Sequence, residues 1–283
     1  IIFGVMNREW FDPRRFEGKL LKELLIIAIP LLPNFLIYWI FNSSDKIMIT
    51  NMISVGAAGI YSVGSKLGQA SQLIYTAFAG GWQYFAFYTM REKNQVKNNS
   101  MIFEYLGIIS FTATTFICAW SYLIFELLFT EQYLSGYIIA PYLFLAPLLQ
   151  MLFQVAGNQF LVIKKTWPNM LILLTGAIIN ILINWTFIPV LGIEGASIAT
   201  LIGYIVSDII CVIVLCRMKL MVISGKFIMS AGLTAIFLIV WRLFFSKNTF
   251  AGTILAIIVT ISYIYLYRED LKKVCCMIRL KKS

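Results

Sequence analysis

The chain has no histidine in 283 residues, and Asp, Glu, Lys and Arg together make up only 13% of it. Without histidine, imidazole general-base catalysis is excluded and zinc loses its usual nitrogen ligand. The five cysteines (Cys118, Cys211, Cys216, Cys275 and Cys276) have no metal-type spacing, since the last two are adjacent. Also missing are G-x-S-x-G, a Walker loop, H-E-x-x-H and any carboxylate pair with an acid–base division. The expectation is therefore no catalytic residue, no metal ligand, no cofactor beyond coupling to an ion gradient, and no enzyme. ATP-driven transport by this chain alone is disfavoured on the same ground. Scarcity of charge also excludes a water-covered surface, because a soluble domain is about a quarter charged.

What fills the chain instead is hydrophobic: 60% of residues, with a mean hydropathy of +0.84. Lipid must be the main solvent. Charge-free runs long enough to cross a ~30 Å hydrocarbon layer lie at Leu24–Phe41, Leu67–Met90, Tyr105–Phe125, Gln132–Ile163, Thr166–Ile193, Gly195–Cys216, Phe227–Phe245 and Asn248–Tyr267. The start of the fourth run, around Tyr133–Gly136, reads as a loop. Unpaired backbone groups are too costly in lipid, so each run is expected to be helical. The alternation of a membrane β-barrel is absent. The reading is an all-α polytopic bundle of about eight transmembrane helices.

Lys and Arg set its orientation. Of the 23, only Lys46, Lys66, Arg242 and Lys247 fall outside the N-terminal segment, the even-numbered inter-span loops and the C-terminal tail. By the positive-inside rule both ends are cytoplasmic. The net charge of +10 then faces anionic headgroups, and a nucleic-acid partner is not needed to explain it. Arg14-Arg15-Phe16 and Lys19-Leu20-Leu21-Lys22 suit an interfacial helix or a plain basic anchor. Cys275-Cys276 among lysines is an acylation motif or an ordinary tail. The chain opens on Ile1 with no signal-peptide pattern, and is expected to be the back portion of a longer protein.

Polar groups at membrane depth are expensive, so each is a candidate for function. Asn42, Asp45 and Lys46 have the spacing of one helical face, and Pro30 and Pro33 before them predict a kink. The other reading of Asp45 and Lys46 is a solvated pair at the outer interface. Lys66 follows the small-residue stretch Gly56–Ser65 and leads a polar stripe through Gln69 and Gln72, which should face protein or water; its alternative is snorkelling to headgroups. Asp208 lies deep in its span, as a path residue or a structural pair. Asn158, Asn180 and Asn184 are expected to make interhelical hydrogen bonds. Glu194, Arg242 and Lys247 read as interface residues.

Three stretches resemble the polysaccharide-export and O-antigen flippases, in the superfamily that includes the MATE multidrug exporters. They are Leu20–Glu23 through Ile29-Pro30-Leu31-Leu32-Pro33 to Asn42–Ile49; Ala58–Leu67, with its small-Gly-x-Tyr-x-x-x-x-Lys pattern; and Asn180 and Asn184 followed by Ile188–Thr200. The resemblance implies a MATE-like second lobe of six helices over 24–217, two additional helices over 218–267, a cytoplasmic inter-lobe connection at 1–23 and a basic tail at 268–283. It further implies a partner six-helix lobe preceding this segment, and a bacterial cytoplasmic-membrane flippase for a polyprenyl-diphosphate-linked glycan. Asn42, Asp45, Lys46, Lys66, Gln69 and Asp208 are the candidates for its path. Lys46 stands where the family often has Arg, which weakens a bidentate phosphate contact. The alternative within the fold is a cation-coupled drug exporter. A membrane glycosyltransferase would need a large outer loop or catalytic acids, and neither is present.

Overall fold

The computed structural model describes residues 17–29, 32–90, 92, 94–270 and 272, and they are helical with no strand among them. A short helix α1 (Gly18–Ala28) precedes α2 (Leu32–Met52), α3 (Val55–Gly64), α4 (Lys66–Tyr88) and α5 (Gln95–Leu128). A 3-10 turn at Glu131–Tyr137, where a loop was expected, leads into α6 (Ala140–Val162). Then come α7 (Trp167–Leu191), α8 (Ile193–Arg217), α9 (Gly225–Val240) with a π-helical extension at Trp241–Phe245, and α10 (Thr249–Leu266).

Six of these are long and apolar enough to cross a membrane: α5, α6, α7, α8, α9 with its extension, and α10. The first two expected spans fall on α2 and α4, which are long enough at 21 and 23 residues but are not among those six. The predicted boundary of the first span is shifted. Leu24–Ala28 belongs to α1, and the membrane-length helix starts at Leu32 and runs on through Asn42–Lys46 to Met52. Pro33 sits in the first turn of α2, where a missing N–H costs nothing, so it does not kink that helix. Arg14–Phe16, Pro30 and Cys275-Cys276 lie outside the described residues.

The core is organised around α6, whose side chains are almost all buried and which packs against α4, α5 and α8. Pro147 inside α6 cannot donate to the Leu143 carbonyl. Gly68 of α4 crosses at that point, and a Cβ on it would lie 2.5 Å from the Leu143 oxygen. The most extensive pair is α7 with α8, joined by Gly192 alone at φ +62°, a conformation that favours glycine. The helices α9 and α10 pack on α5. Their outer faces carry exposed Ile228, Ile236, Ile239, Phe250, Ile257 and Ile261, as expected of surface that meets lipid.

Candidate functional site

Of the candidate residues, the structure draws one into a dense polar knot. Asp45 of α2 is 2% exposed. Its Oδ2 accepts from the Tyr61 hydroxyl of α3 and from Thr200 Oγ1 of α8, each at 2.5 Å. Its Oδ1 accepts from Asn184 Nδ2 of α7 at 2.7 Å. Asn180 Nδ2 reaches Thr200 Oγ1 at 3.1 Å, and Ser44 Oγ donates to Asn180 Oδ1 at 3.2 Å. Four helices thus meet on one carboxylate. Local sequence accounts for it: Asn180 and Asn184 are one turn apart on α7, and the caps around Ser54, whose Oγ accepts from Ala57 N at 3.1 Å, turn α3 back along α2.

This knot corrects two expectations. Asp45 is neither a solvated interface group nor on the face of Lys46, for it points inward while Lys46 is exposed. The side chain of Asn42 lies outside the described residues. Asn180 and Asn184 make the expected interhelical bonds, whereas the Asn158 amide nitrogen has no partner among the described residues. Tyr61 and Thr200 were not singled out as site residues. The only signal was their place inside the second and third motif stretches, because partners 16 and 155 residues from Asp45 leave no periodic trace. Chemically, the carboxylate takes two hydroxyl hydrogens and one amide N–H, a set of donors that satisfies it inside the bundle. No group of three or more His, Cys, Asp and Glu placed to hold a metal ion is found among the described residues.

A second feature is a stripe rather than a knot. Lys66, Gln69, Thr76 and Gln83 of α4 are all exposed and share one helical face, with Gln72 half-buried beside them. The expected polar stripe is therefore present and longer than Gln72. The small-residue stretch before it is tight only at its end: a Cβ at Gly64 would meet Ile139 at 2.5 Å, while Gly59 has open space. Asp208 of α8 stands apart from both features. It is 8% exposed, and neither carboxylate oxygen has a hydrogen-bond partner among the described residues.

Glu104 of α5, which the sequence did not single out, is a buried carboxylate with a structural task. It accepts from Ser224 N at 2.6 Å, Ser224 Oγ at 2.8 Å and Tyr267 Oη at 3.2 Å, while Ser100 Oγ accepts from Val222 N at 3.0 Å. Together they clasp the α8–α9 loop and the end of α10 to α5. Glu104→Ala is expected to raise amide exchange at Ser224 about tenfold, the loss of a charge-assisted bond of roughly 1.5 kcal/mol. Unchanged exchange there would show that the clasp contributes nothing. Arg242 and Glu194, read as interface residues, form a two-pronged pair at 2.5 and 2.7 Å that ties the π-helical segment to the start of α8.

No family model and no curated protein matches this sequence. Among solved structures, a lipid II flippase MurJ in an inward closed conformation is similar with a TM-score of 0.60 and 16% identity, over 85% of this chain and 54% of that one. A MOP superfamily transporter from Pyrococcus furiosus aligns with a TM-score of 0.49 and 14% identity, over 87% of this chain and 63% of that one. At such identities the fold is what is shared with MurJ. The chain spans about half the length of that flippase.

Proposed function

We propose that this chain is the second lobe, with two appended helices, of a bacterial cytoplasmic-membrane flippase for a polyprenyl-diphosphate-linked oligosaccharide used in surface polysaccharide synthesis. The observation that carries the proposal is the exposed stripe Lys66, Gln69, Thr76 and Gln83 on a membrane-length helix. Such a row has no favourable place against lipid, and suits a water-filled path shared with a facing lobe. A cation at its head suits an anionic diphosphate, and exposed amides suit sugars. The MurJ-like fold supports alternating access between two lobes, and the distribution of Lys and Arg supports cytoplasmic termini. Lys46, exposed on α2, adds positive charge to the same lobe.

The test is flipping of a lipid-linked oligosaccharide in proteoliposomes by the complete two-lobe protein. Lys66→Ala is expected to slow flipping at least about tenfold, the loss of one ~1.4 kcal/mol charge contact, with folded yield unchanged. Normal flipping by Lys66→Ala would sink the path assignment. Transport of organic cations with no glycan movement would instead establish the drug-exporter alternative.

A further inference from the structure

Towards the end of α6 nearest Lys164, four buried polar atoms have no hydrogen-bond partner among the described residues. They are Trp82 Nε1 of α4, Gln154 Oε1 and Asn158 Nδ2 of α6, and Asn169 Oδ1 of α7. Three of them are brought together at one glycine. A Cβ on Gly157 would lie 2.4 Å from Asn169 Oδ1, so the Asn169 amide rests on α6 at that point. Asn158 is the next residue, and Gln154 stands one turn before it on the same side of the helix. Register adds the fourth. Gly68 of α4 crosses α6 at Leu143, and Tyr75 meets Gln150, so both helices advance by seven residues between the two crossings. A further seven carry α4 to Trp82 and α6 to Gly157. Trp82 is 4% exposed, and α6 is the helix against which α4 chiefly packs.

Two of these atoms donate and two accept, yet no donor bonds an acceptor directly. Leaving all four unmet is costly inside a bundle. The Asp45 knot shows that the same chain closes such bonds side chain to side chain where they reach. What answers the set must both donate and accept, and must fit within a packed seam. A metal ion would suit the two oxygens and be repelled by the two N–H groups. Water meets both conditions, and a buried water typically makes about three bonds to groups of this kind. We propose that the seam of α4, α6 and α7 holds resident water at Gly157, bridging Trp82, Gln154, Asn158 and Asn169. The inference does not depend on what the protein carries, and its test involves no transport.

The test exposes the complete protein in lipid nanodiscs to X-ray pulses, which make hydroxyl radicals from water where it lies. A scavenger in the buffer quenches the radicals formed in bulk. Trp82 is expected to be oxidised in wild type despite its burial. Asn158→Leu, similar in size and without the amide, is expected to lose that oxidation and to melt at a lower temperature. A dry site gives the opposite sign, because replacing an unanswered N–H by an apolar group of like shape is neutral or stabilising. Gln154→Met removes the acceptor instead, with the same two outcomes expected, and decides the matter if Asn158→Leu does not fold. Absence of Trp82 oxidation in wild type, oxidation that persists in a folded variant, or a variant melting at or above the wild-type temperature would overturn the assignment.

Discussion

Asp45→Ala is expected to destabilise the folded chain by about 2–5 kcal/mol, three interhelical bonds at ~0.6–1.7 kcal/mol each. Alanine leaves the Tyr61 hydroxyl, the Thr200 hydroxyl and the Asn184 amide without their shared acceptor, and all three residues are buried. The measurement is thermal unfolding in detergent, and a melting temperature equal to wild type would show that the knot holds nothing together. Asp45→Asn separates structure from charge. An asparagine keeps an oxygen for Tyr61 and Thr200 and turns an NH2 toward Asn184. The Asn184 carbonyl, which has no partner among the described residues, takes that NH2 if the Asn184 amide rotates. Asp45→Asn is accordingly expected to stay within ~1 kcal/mol of wild type. A loss as large as that of Asp45→Ala would show that the charge, and not the hydrogen bonds alone, holds the knot.

Gly176→Ala should be among the most damaging single methyl additions to the chain. A Cβ there would sit 1.9 Å from Ser207 Oγ and 2.6 Å from the Gly203 carbonyl oxygen, on the most extensive helix pair in the structure. A serine hydroxyl moves aside at small cost, but a helical carbonyl does not. Overpacking of this kind costs about 1–3 kcal/mol, and more when backbone must yield. Ser207→Ala in the same chain should therefore fail to restore stability, which distinguishes a backbone clash from a side-chain one. Gly203→Ala is expected to act in the same direction, since its Cβ would meet Phe41 at 2.8 Å and Asn180 at 3.0 Å. Because Asn180 bonds Thr200, that substitution also disturbs the Asp45 knot. The check is the yield of monodisperse protein and its melting temperature; wild-type values for Gly176→Ala would mean that α7 and α8 do not approach this closely.

Bulk hydrophobicity and the spacing of charges made the helical bundle legible, because a bilayer imposes length and apolarity on every crossing. The same logic did not fix where the first long helix begins. Hydropathy favoured Leu24–Phe41, but the helix continues through Asn42–Lys46, where Asp45 is satisfied by tertiary partners that no local window contains. Periodicity did find the α4 stripe, since Lys66, Gln69 and Gln72 repeat at helical spacing. It put Asp45 and Lys46 on one face, where the structure turns one inward and leaves the other exposed, because such spacing allows a shared face without requiring it. Glu104 escaped notice for the opposite reason. It lies inside the helix that enters the third span, its partners Ser224 and Tyr267 are 120 and 163 residues away, and nothing around it looks like a motif.

The clasp at Glu104 also bears on how separable the parts of this protein are. By position, α9 and α10 come last among the described helices. Their attachment is nevertheless distributed along α5. Ser224 and Tyr267 meet Glu104 near one end, Phe227 lies against Gly107, and Gly252 reaches Ala119 further on. A boundary drawn after Arg217 would bare that whole flank of α5, including an acid whose hydrogen-bond donors all come from beyond the cut. By its contacts, α5 belongs as much to α9 and α10 as to α6.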